Sequence, residues 1–472
     1  MMTPQTLLLT TSAVIFSLAF TSAIAQIPRA SDPDIGSSQA NIPSSQPIAR
    51  LSLQSATDLL IKNNLSVIAA RYNVDILRAQ RIASGLRPRA SITVSATQFA
   101  VPGVFRHPAN LIHSNTSSAA NTTYLVEVDQ LFERGNKREL RISQATLNTQ
   151  AAEAQVKDAL RQQLFQLRQA FFTAVLAREN LGVARENLNH FTDTERILFA
   201  QVREGYTAGV DLKRVQLQQL QFHSDVSRAE QSYQQSLRDV LNLTGSGDAP
   251  SLANATHVTG AAGTPSALPG LDGSLEVVDG NLEIIPTLLW IDDLRPMALA
   301  NRPDIRAAEL SFEAAQKGVE LAEAQRARDV TVGAQYSRIG GDNTVGAVVS
   351  APLITRRFAN SAIAQATAVK LQAEAQLRLT KTQALTDVEK AFTAYNVSRE
   401  RLRLFTGGAL GTAADVRHIE EIAYRDGAKG LLDYLDAQRT YNQTLVDYNQ
   451  ARFDFLMSLY QLEFASGSAI VK

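Results

Sequence analysis

Ala152-Glu153-Ala154-Gln155 returns as Ala373-Glu374-Ala375-Gln376, and Gln144-Ala145-Thr146 returns as Gln365-Ala366-Thr367, both displaced by 221 residues. A further echo sets Arg203-Glu204-Gly205 with Asp211 against Arg425-Asp426-Gly427 with Asp433. Around these echoes the order of elements also repeats: a polar-alanine helix, a strand, a loop, a strand, then a very long helix. One supersecondary unit used twice in one chain points to a built object, a tube or bundle, and away from an enzyme pocket.

The elements follow from periodicity. Leu51 to about Leu86 carries Leu59, Leu60, Val67, Ile68, Ile76 and Leu77 on one stripe, which predicts a helix that Pro88 ends. In Ser91–Val101, Ile92, Val94 and Ala96 alternate with Ser91, Thr93, Ser95 and Thr97, the period of a strand with one apolar and one polar face. After a Pro/Asn/Ser/His loop over 102–121, Tyr124, Val126 and Val128 alternate with Glu127 and Asp129. The second half repeats the pattern with Val330, Val332, Ala334 and Tyr336, a Gly340-Gly341-Asp342-Asn343 turn, then Val345, Ala347 and Val349. Such strands, about 9–11 residues long, are what a tilted bilayer crossing needs.

From Lys137 to about Val202 there is no Pro and a single Gly, Gly182. A helix of that length extends about 90–100 Å. Leu160, Leu167, Ala174, Leu181 and Leu188 fall seven apart with Leu164 and Phe171 between them, while Arg178 and Arg185 interrupt the second seam. Asp211–Leu243 returns, and Arg306–Arg328, Phe358 to about Tyr424 and Leu431–Phe464 complete the second set. The expected organisation is therefore 1–25 signal peptide, 26–50 extended tether, 51–243 first repeat, 244–297 connector, 298–464 second repeat and 465–472 tail.

Bulk numbers narrow the function. Lys+Arg and Asp+Glu are equal at 46 each, so no basic footprint for nucleic acid is present. The 472 residues include no Cys, which excludes disulfides and Cys-ligated zinc. Leu7–Phe20 is an apolar run of signal-peptide length, followed by Ala23-Ile24-Ala25 as a cleavage site, although Met1–Thr6 carries no Lys or Arg. With no Cys after the expected cut, a lipid-anchored amino terminus is not expected. No other segment offers about 18 apolar residues in a row, so any membrane crossing is by strands.

Four strands cannot close a barrel within one chain, since closure takes about eight or more. Open edges in a bilayer leave backbone groups unsatisfied at several kcal/mol each. If the apolar faces meet lipid, three chains sharing one barrel of twelve strands is the expected solution. The polar positions Ser91, Thr93, Glu127, Asp129, Thr331, Gln335 and Ser350 then line a wet lumen. A soluble β-sandwich or hairpin capping a helical bundle is the bland alternative.

Leu131-Phe132-Glu133-Arg134-Gly135-Asn136-Lys137-Arg138, Ala351-Pro352-Leu353 and Asn301-Arg302-Pro303-Asp304-Ile305 carry a further signal. So do Tyr424-Arg425-Asp426-Gly427, Asp433-Tyr434-Leu435-Asp436-Ala437-Gln438 and Gly209-Val210-Asp211-Leu212. In this order the chain resembles the TolC-type outer-membrane efflux proteins, nearer to their CzcC-like metal and multidrug branch. The resemblance implies a mainly α fold with membrane β: duplicated helix–β-hairpin–helix repeats forming a trimeric α-helical barrel, topped by a shared 12-stranded transmembrane β-barrel. It implies a homotrimer in the outer membrane, surrounded by lipid and extending into the periplasm, with a periplasmic adaptor protein and an inner-membrane pump of RND or ABC type as partners. It implies no cofactor.

The turns at Gly205–Asp211 and Gly427–Asp433 lie at the helix ends away from the strands. Asp433 and Asp436 are three apart on one helical face, so threefold symmetry puts six carboxylates around the axis. Like charges there attract cations and raise pKa values; the bland reading is first-turn acids favoured by the helix dipole. The resemblance implies an entrance constriction at Asp433 and Asp436, and a latch in which Tyr424 and Lys429 reach toward Asp211. The family has Arg where Lys429 stands, and Lys lacks the bidentate fork. Gly205, Ala208, Gly209, Gly427 and Gly430 are expected to let the adaptor approach the backbone of the turns; helix termination is their plainer role.

His107 and His113 share the 102–121 loop without nearby carboxylates, a weak metal pair, and no metal is expected to bind. No G-x-S-x-G, P-loop or H-E-x-x-H motif is present, so the chain reads as non-enzymatic. The leading expectation is a passive exit duct. A protein-secretion outlet of type I uses the same duct, and a soluble periplasmic helical adaptor or scaffold is the reading from a different class.

Overall fold

A reciprocal pair of serines opens the first helix. Ser55 N–H donates to Ser52 Oγ at 3.2 Å and Ser52 N–H to Ser55 Oγ at 3.0 Å, so the strand β1 (Leu51–Ser52) gives way at once to α1 (Leu53–Asn63). The computed structural model describes residues 51–97, 123–205, 208–245, 278–283, 289–339, 342–353 and 356–470. The expected signal segment 1–25, the tether 26–50, the loop with His107 and His113, and most of the connector lie outside the described residues.

The single helix expected over Leu51–Leu86 is two, α1 and α2 (Leu65–Ser84), broken at Asn64. Asn64 Oδ1 accepts from the N–H groups of Ser66 and Val67, while its Nδ2 donates to Leu243 O at 3.0 Å and Gln163 Oε1 at 3.1 Å. One amide therefore caps a helix and ties it to a chain segment far away in sequence. The second repeat breaks at the matching place with different chemistry. There α5 (Ile291–Asn301) stops at Arg302, and Pro303 opens α6 (Pro303–Ala324), where its missing N–H costs nothing. Arg302 is only 5 % exposed. Its guanidinium donates to Asp304 at 2.7 Å, Asp387 at 3.1 Å and Ala465 O at 3.3 Å. The connector boundary expected at 297 thus falls inside α5.

Four strands form one antiparallel sheet in the order β2 (Ser91–Thr97), β3 (Thr123–Phe132), β5 (Val330–Ile339), β6 (Asp342–Ser350). The two hairpins, one from each repeat, join along β3 and β5. Register puts the apolar residues in rows: Val94 faces Val126, Val126 faces Tyr336, and Tyr336 faces Val345. These side chains are open to the surroundings, Val94 at 73 % and Val345 at 83 %. The opposite face aligns Thr93, Glu127, Gln335 and Gly346 in one row and Ser91, Asp129 and Gly333 in the next. The Asp129 carboxylate lies over Gly333, where a Cβ would meet its Oδ1 at 2.1 Å and the carboxylate would have to turn aside. Both outer strands, β2 and β6, keep an unpaired edge among the described residues.

The sheet joins the helices through a tight lock. After β3 the chain turns on Gly135 (φ 78°) and Asn136 (φ 58°) into α3 (Lys137–Arg203). Lys137 Nζ donates to Asp329 Oδ1 at 2.8 Å and Ala327 O at 2.7 Å, and Arg141 grips Glu133 with two bonds of 2.6 and 2.8 Å. At 67 residues α3 runs about 100 Å. Its heptad positions Leu167, Phe171, Ala174 and Leu181 are buried, as the spacing requires. Arg178, which interrupts the second seam, has a use: it donates to Val278 O at 2.5 Å and Gly280 O at 2.7 Å. It thereby holds β4 (Val278–Asp279), which pairs parallel with β1 and returns the end of the connector to the first repeat.

α3 is answered by α4 (Gly209–Leu243), and the second repeat by α7 (Arg356–Leu404), α8 (Leu410–Arg425) and α9 (Leu431–Ser466). The helix expected from Phe358 to Tyr424 is interrupted by a kink over Phe405–Ala409, where Gly408 leaves the helical region (φ 128°, ψ −11°). Among the described residues no helix is long and apolar enough to cross a membrane.

Candidate functional site

Each long hairpin turns by the same backbone device. Gly205 (φ 80°) follows α3 and Gly427 (φ 73°) follows α8, left-handed positions that a side chain adopts only with strain. Ala208 is the N-cap of α4 with Gly209 its first residue, and Gly430 is the N-cap of α9. Asp433 Oδ2 accepts the Gly430 N–H at 3.3 Å, so this carboxylate also caps its own helix. No other atoms crowd Gly205, Gly209 or Gly427, and the nearest approach to Gly430 is that same Asp433 oxygen.

The two turns meet over an apolar cluster. Phe191 and Leu198 of α3, Val215 and Phe222 of α4 and Leu431 of α9 form its buried part, with Leu212, Tyr424, Tyr434 and Leu435 packed against them. Phe191 and Phe222 have ring centroids 4.2 Å apart. Tyr424 stacks on Tyr434 at 5.6 Å with the rings within 6° of parallel. Burial, and after it the negative charge of Asp211, push the Tyr424 phenol above its usual pKa. The fold therefore brings Tyr424 and Asp211, two of the three expected latch residues, into electrostatic reach of each other.

Lys429 goes elsewhere within the chain. Its ammonium pairs with Glu420 on α8, and the Asp211 carboxylate pairs with Arg214 at 3.2 Å. Asp433 and Asp436 are exposed near the start of α9, and Asp433 lies within electrostatic reach of Lys429. No group of three or more His, Asp or Glu that could hold a metal occurs among the described residues.

Sequence reasoning missed Tyr434, Glu420 and Thr194. Tyr434 belongs to the second hairpin and lies beside Thr194 of α3, so it spans the two hairpins. Its signal was an aromatic residue inside the Asp433–Gln438 motif. Glu420 had no signal, because its pairing with Lys429 crosses the α8–α9 turn.

Among the described residues, a four-stranded sheet with an apolar outer face and unpaired edge strands is carried on long helices, of which the 67-residue α3 runs about 100 Å. Residues 294–468 match the family model described as outer membrane efflux protein. Over 420 residues the chain is 22% identical to the cobalt-zinc-cadmium resistance protein CzcC of Cupriavidus metallidurans, covering 88% of this chain and 90% of that one. It shares its fold with the CmeC outer membrane channel of Campylobacter jejuni, at a TM-score of 0.70 and 15% identity over 94% of each chain. The open-state MtrE outer membrane channel of Neisseria gonorrhoeae superimposes at 0.65 and 18% identity, over 88% of this chain and 89% of that one. Proteins of this class are passive channels and not enzymes.

Proposed function

We propose that three copies of this chain form an outer-membrane exit duct, each supplying four strands to one twelve-stranded barrel. The observation that carries the reading is the sheet itself, with apolar residues aligned in register on a face open to the surroundings and both edge strands unpaired. In lipid such edges are satisfied only by closure with further strands, and in-register apolar rows are what lipid selects on an outer face. The 67-residue helix α3 and its partners extend into the periplasm as a tunnel toward an adaptor protein and an inner-membrane pump.

The far turns form the gate. In the closed state Tyr424 and Asp211 hold the two hairpins together, and opening separates them. Lys429, paired with Glu420 inside its own hairpin, reaches Asp211 only by releasing that partner. Asp433 and Asp436 of three copies form the entrance ring, whose charge favours cations. The likeness to CzcC, named for cobalt, zinc and cadmium resistance, supports divalent cations as cargo. Gly205, Ala208, Gly209, Gly427 and Gly430 give the adaptor access to the turn backbone.

Purified protein in planar bilayers, with its mass measured in detergent, tests the reading. A trimer giving small, cation-selective steps is expected. A monomer that stays in solution without detergent and makes no channels overturns it in favour of a periplasmic scaffold.

A further inference from the structure

Within the second repeat, the long helix changes character at one point. Above it, α7 is anchored: Ala384, Val388, Ala391 and Tyr395 are fully buried, the Ser398 hydroxyl bonds that of Ser458 on α9 at 2.9 Å, and Tyr395 packs on Phe455. Below it, α8 has no buried residue at all. Between them lies Phe405-Thr406-Gly407-Gly408-Ala409, a kink at which Gly408 leaves the helical region. Thr406 Oγ1 donates to Leu402 O at 3.2 Å and to Arg403 O at 3.3 Å, taking over carbonyls beside the disturbed ladder. A Cβ added at Gly407, Gly408 or Gly411 meets nothing within 4 Å, so no packing demands these glycines. The first repeat has no such break, since α3 passes its corresponding level as one α-helix.

The contacts that hold α8 to α9 are of a kind that can be exchanged. They are the Tyr424–Tyr434 stack, Arg417 over the Tyr441 ring at 4.7 Å, and the Lys429–Glu420 pair. α9 also carries the buried polar pair Gln438 and Asn442, bonded to each other at 3.2 Å. Among the described residues Arg417 Nε, Glu420 Oε2 and Asn442 Nδ2 are buried without a hydrogen-bond partner. An incompletely satisfied polar seam is a weakly committed one.

We infer that Phe405–Ala409 is the pivot of the gate: α8 swings about Gly408 while α7 stays fixed, exchanging its polar seam against α9 as it moves. The inference rests on the gated-duct reading above and adds to it the point at which the helix bends. Helix bends have identifiable local causes, and a pair of glycines such as Gly407-Gly408 is one of them.

The chain has no Cys, so Thr393→Cys and Asp415→Cys can be spin-labelled specifically on either side of the pivot. Labelled protein is diluted with unlabelled protein so that each trimer carries one pair. The distance across the pivot is then measured in the wild-type background and in the Tyr424→Phe, Asp211→Asn background, alongside bilayer recordings of the same samples. Expected are a second distance population in the latch-free background, its loss when Gly407→Ala and Gly408→Ala are added, and a matching fall in the open-channel fraction. Channels that open normally with one unchanged distance, or a glycine-free helix that gates like wild type, overturn the pivot and leave the duct standing. No channels from any sample, including wild type, overturn the duct reading itself. Gly411→Ala, inside α8 and equally uncrowded, controls for helix stabilisation and is expected to leave both readouts unchanged.

Discussion

Asp304 shows how much one side chain does at the joint of the second repeat. Burial alone would raise its pKa, but the Arg302 hydrogen bond and charge, then Arg161 and the Ile305 N–H, outweigh burial and hold the carboxyl below its usual value. A depressed folded-state pKa contributes stability that is fully present above the unfolded value, about 3.9, and is lost as pH falls through the folded one. Asp304→Asn is therefore expected to cost about 3 kcal/mol near neutral pH, since it strips a buried guanidinium of its nearest partner. Thermal dissociation should show the wild type losing that advantage below about pH 4, with the variant flat over the same range. At the far turns, Tyr424→Phe with Asp211→Asn keeps the ring stack and removes the phenol and the charge. The expected outcome is a several-fold rise in resting conductance in planar bilayers; an unchanged conductance removes these two residues from the latch. Arg302 and Asp304 were both legible as motif members, whereas the further partners of Arg302, Asp387 and Ala465 O, were not. Those partners lie on other elements, and no local spacing points to them.

Among the elements, the strands were the most readable, because a period of two with one apolar face has a single physical interpretation once the faces are seen to be aligned. Val94 stands 73 % exposed in the middle of β2, opposite Val126. Val94→Arg is expected to cost about 2–4 kcal/mol if that face meets the bilayer midplane. Membrane fractionation should then find the variant depleted from the outer membrane, while normal recovery there would place the face away from lipid. The long helices were readable in extent but not in continuity. Asn64 divides the first expected helix because its amide finds Leu243 O, and Gly408 interrupts the Phe358–Tyr424 helix because its backbone leaves the helical region. In sequence, an Asn or a Gly-Gly inside a helical pattern is compatible with an unbroken helix, at a cost of about 1 kcal/mol for each Gly.

At the scale of the whole molecule, one chain leaves both edges of its sheet open among the described residues. In the proposed trimer, Asp433 and Asp436 bring six carboxylates to one axis. Replacing both by Ala is expected to weaken cation selectivity and block by multivalent cations, as read from reversal potentials in a salt gradient. Unchanged selectivity would move the constriction elsewhere in the duct.

By itself the sequence determined the duplication, the faces of the strands, the length of α3 and the glycines that end each hairpin. All of these are periodic or local properties, written within a few turns of chain. Only the tertiary structure decided that β3 joins β5 across the two repeats, that β1 pairs with β4, that Lys429 turns back to Glu420, and that Arg302 binds Asp387 and Ala465. Those pairings depend on which distant segments the fold sets side by side. A side chain with several chemically suitable partners takes the one that burial and reach leave to it.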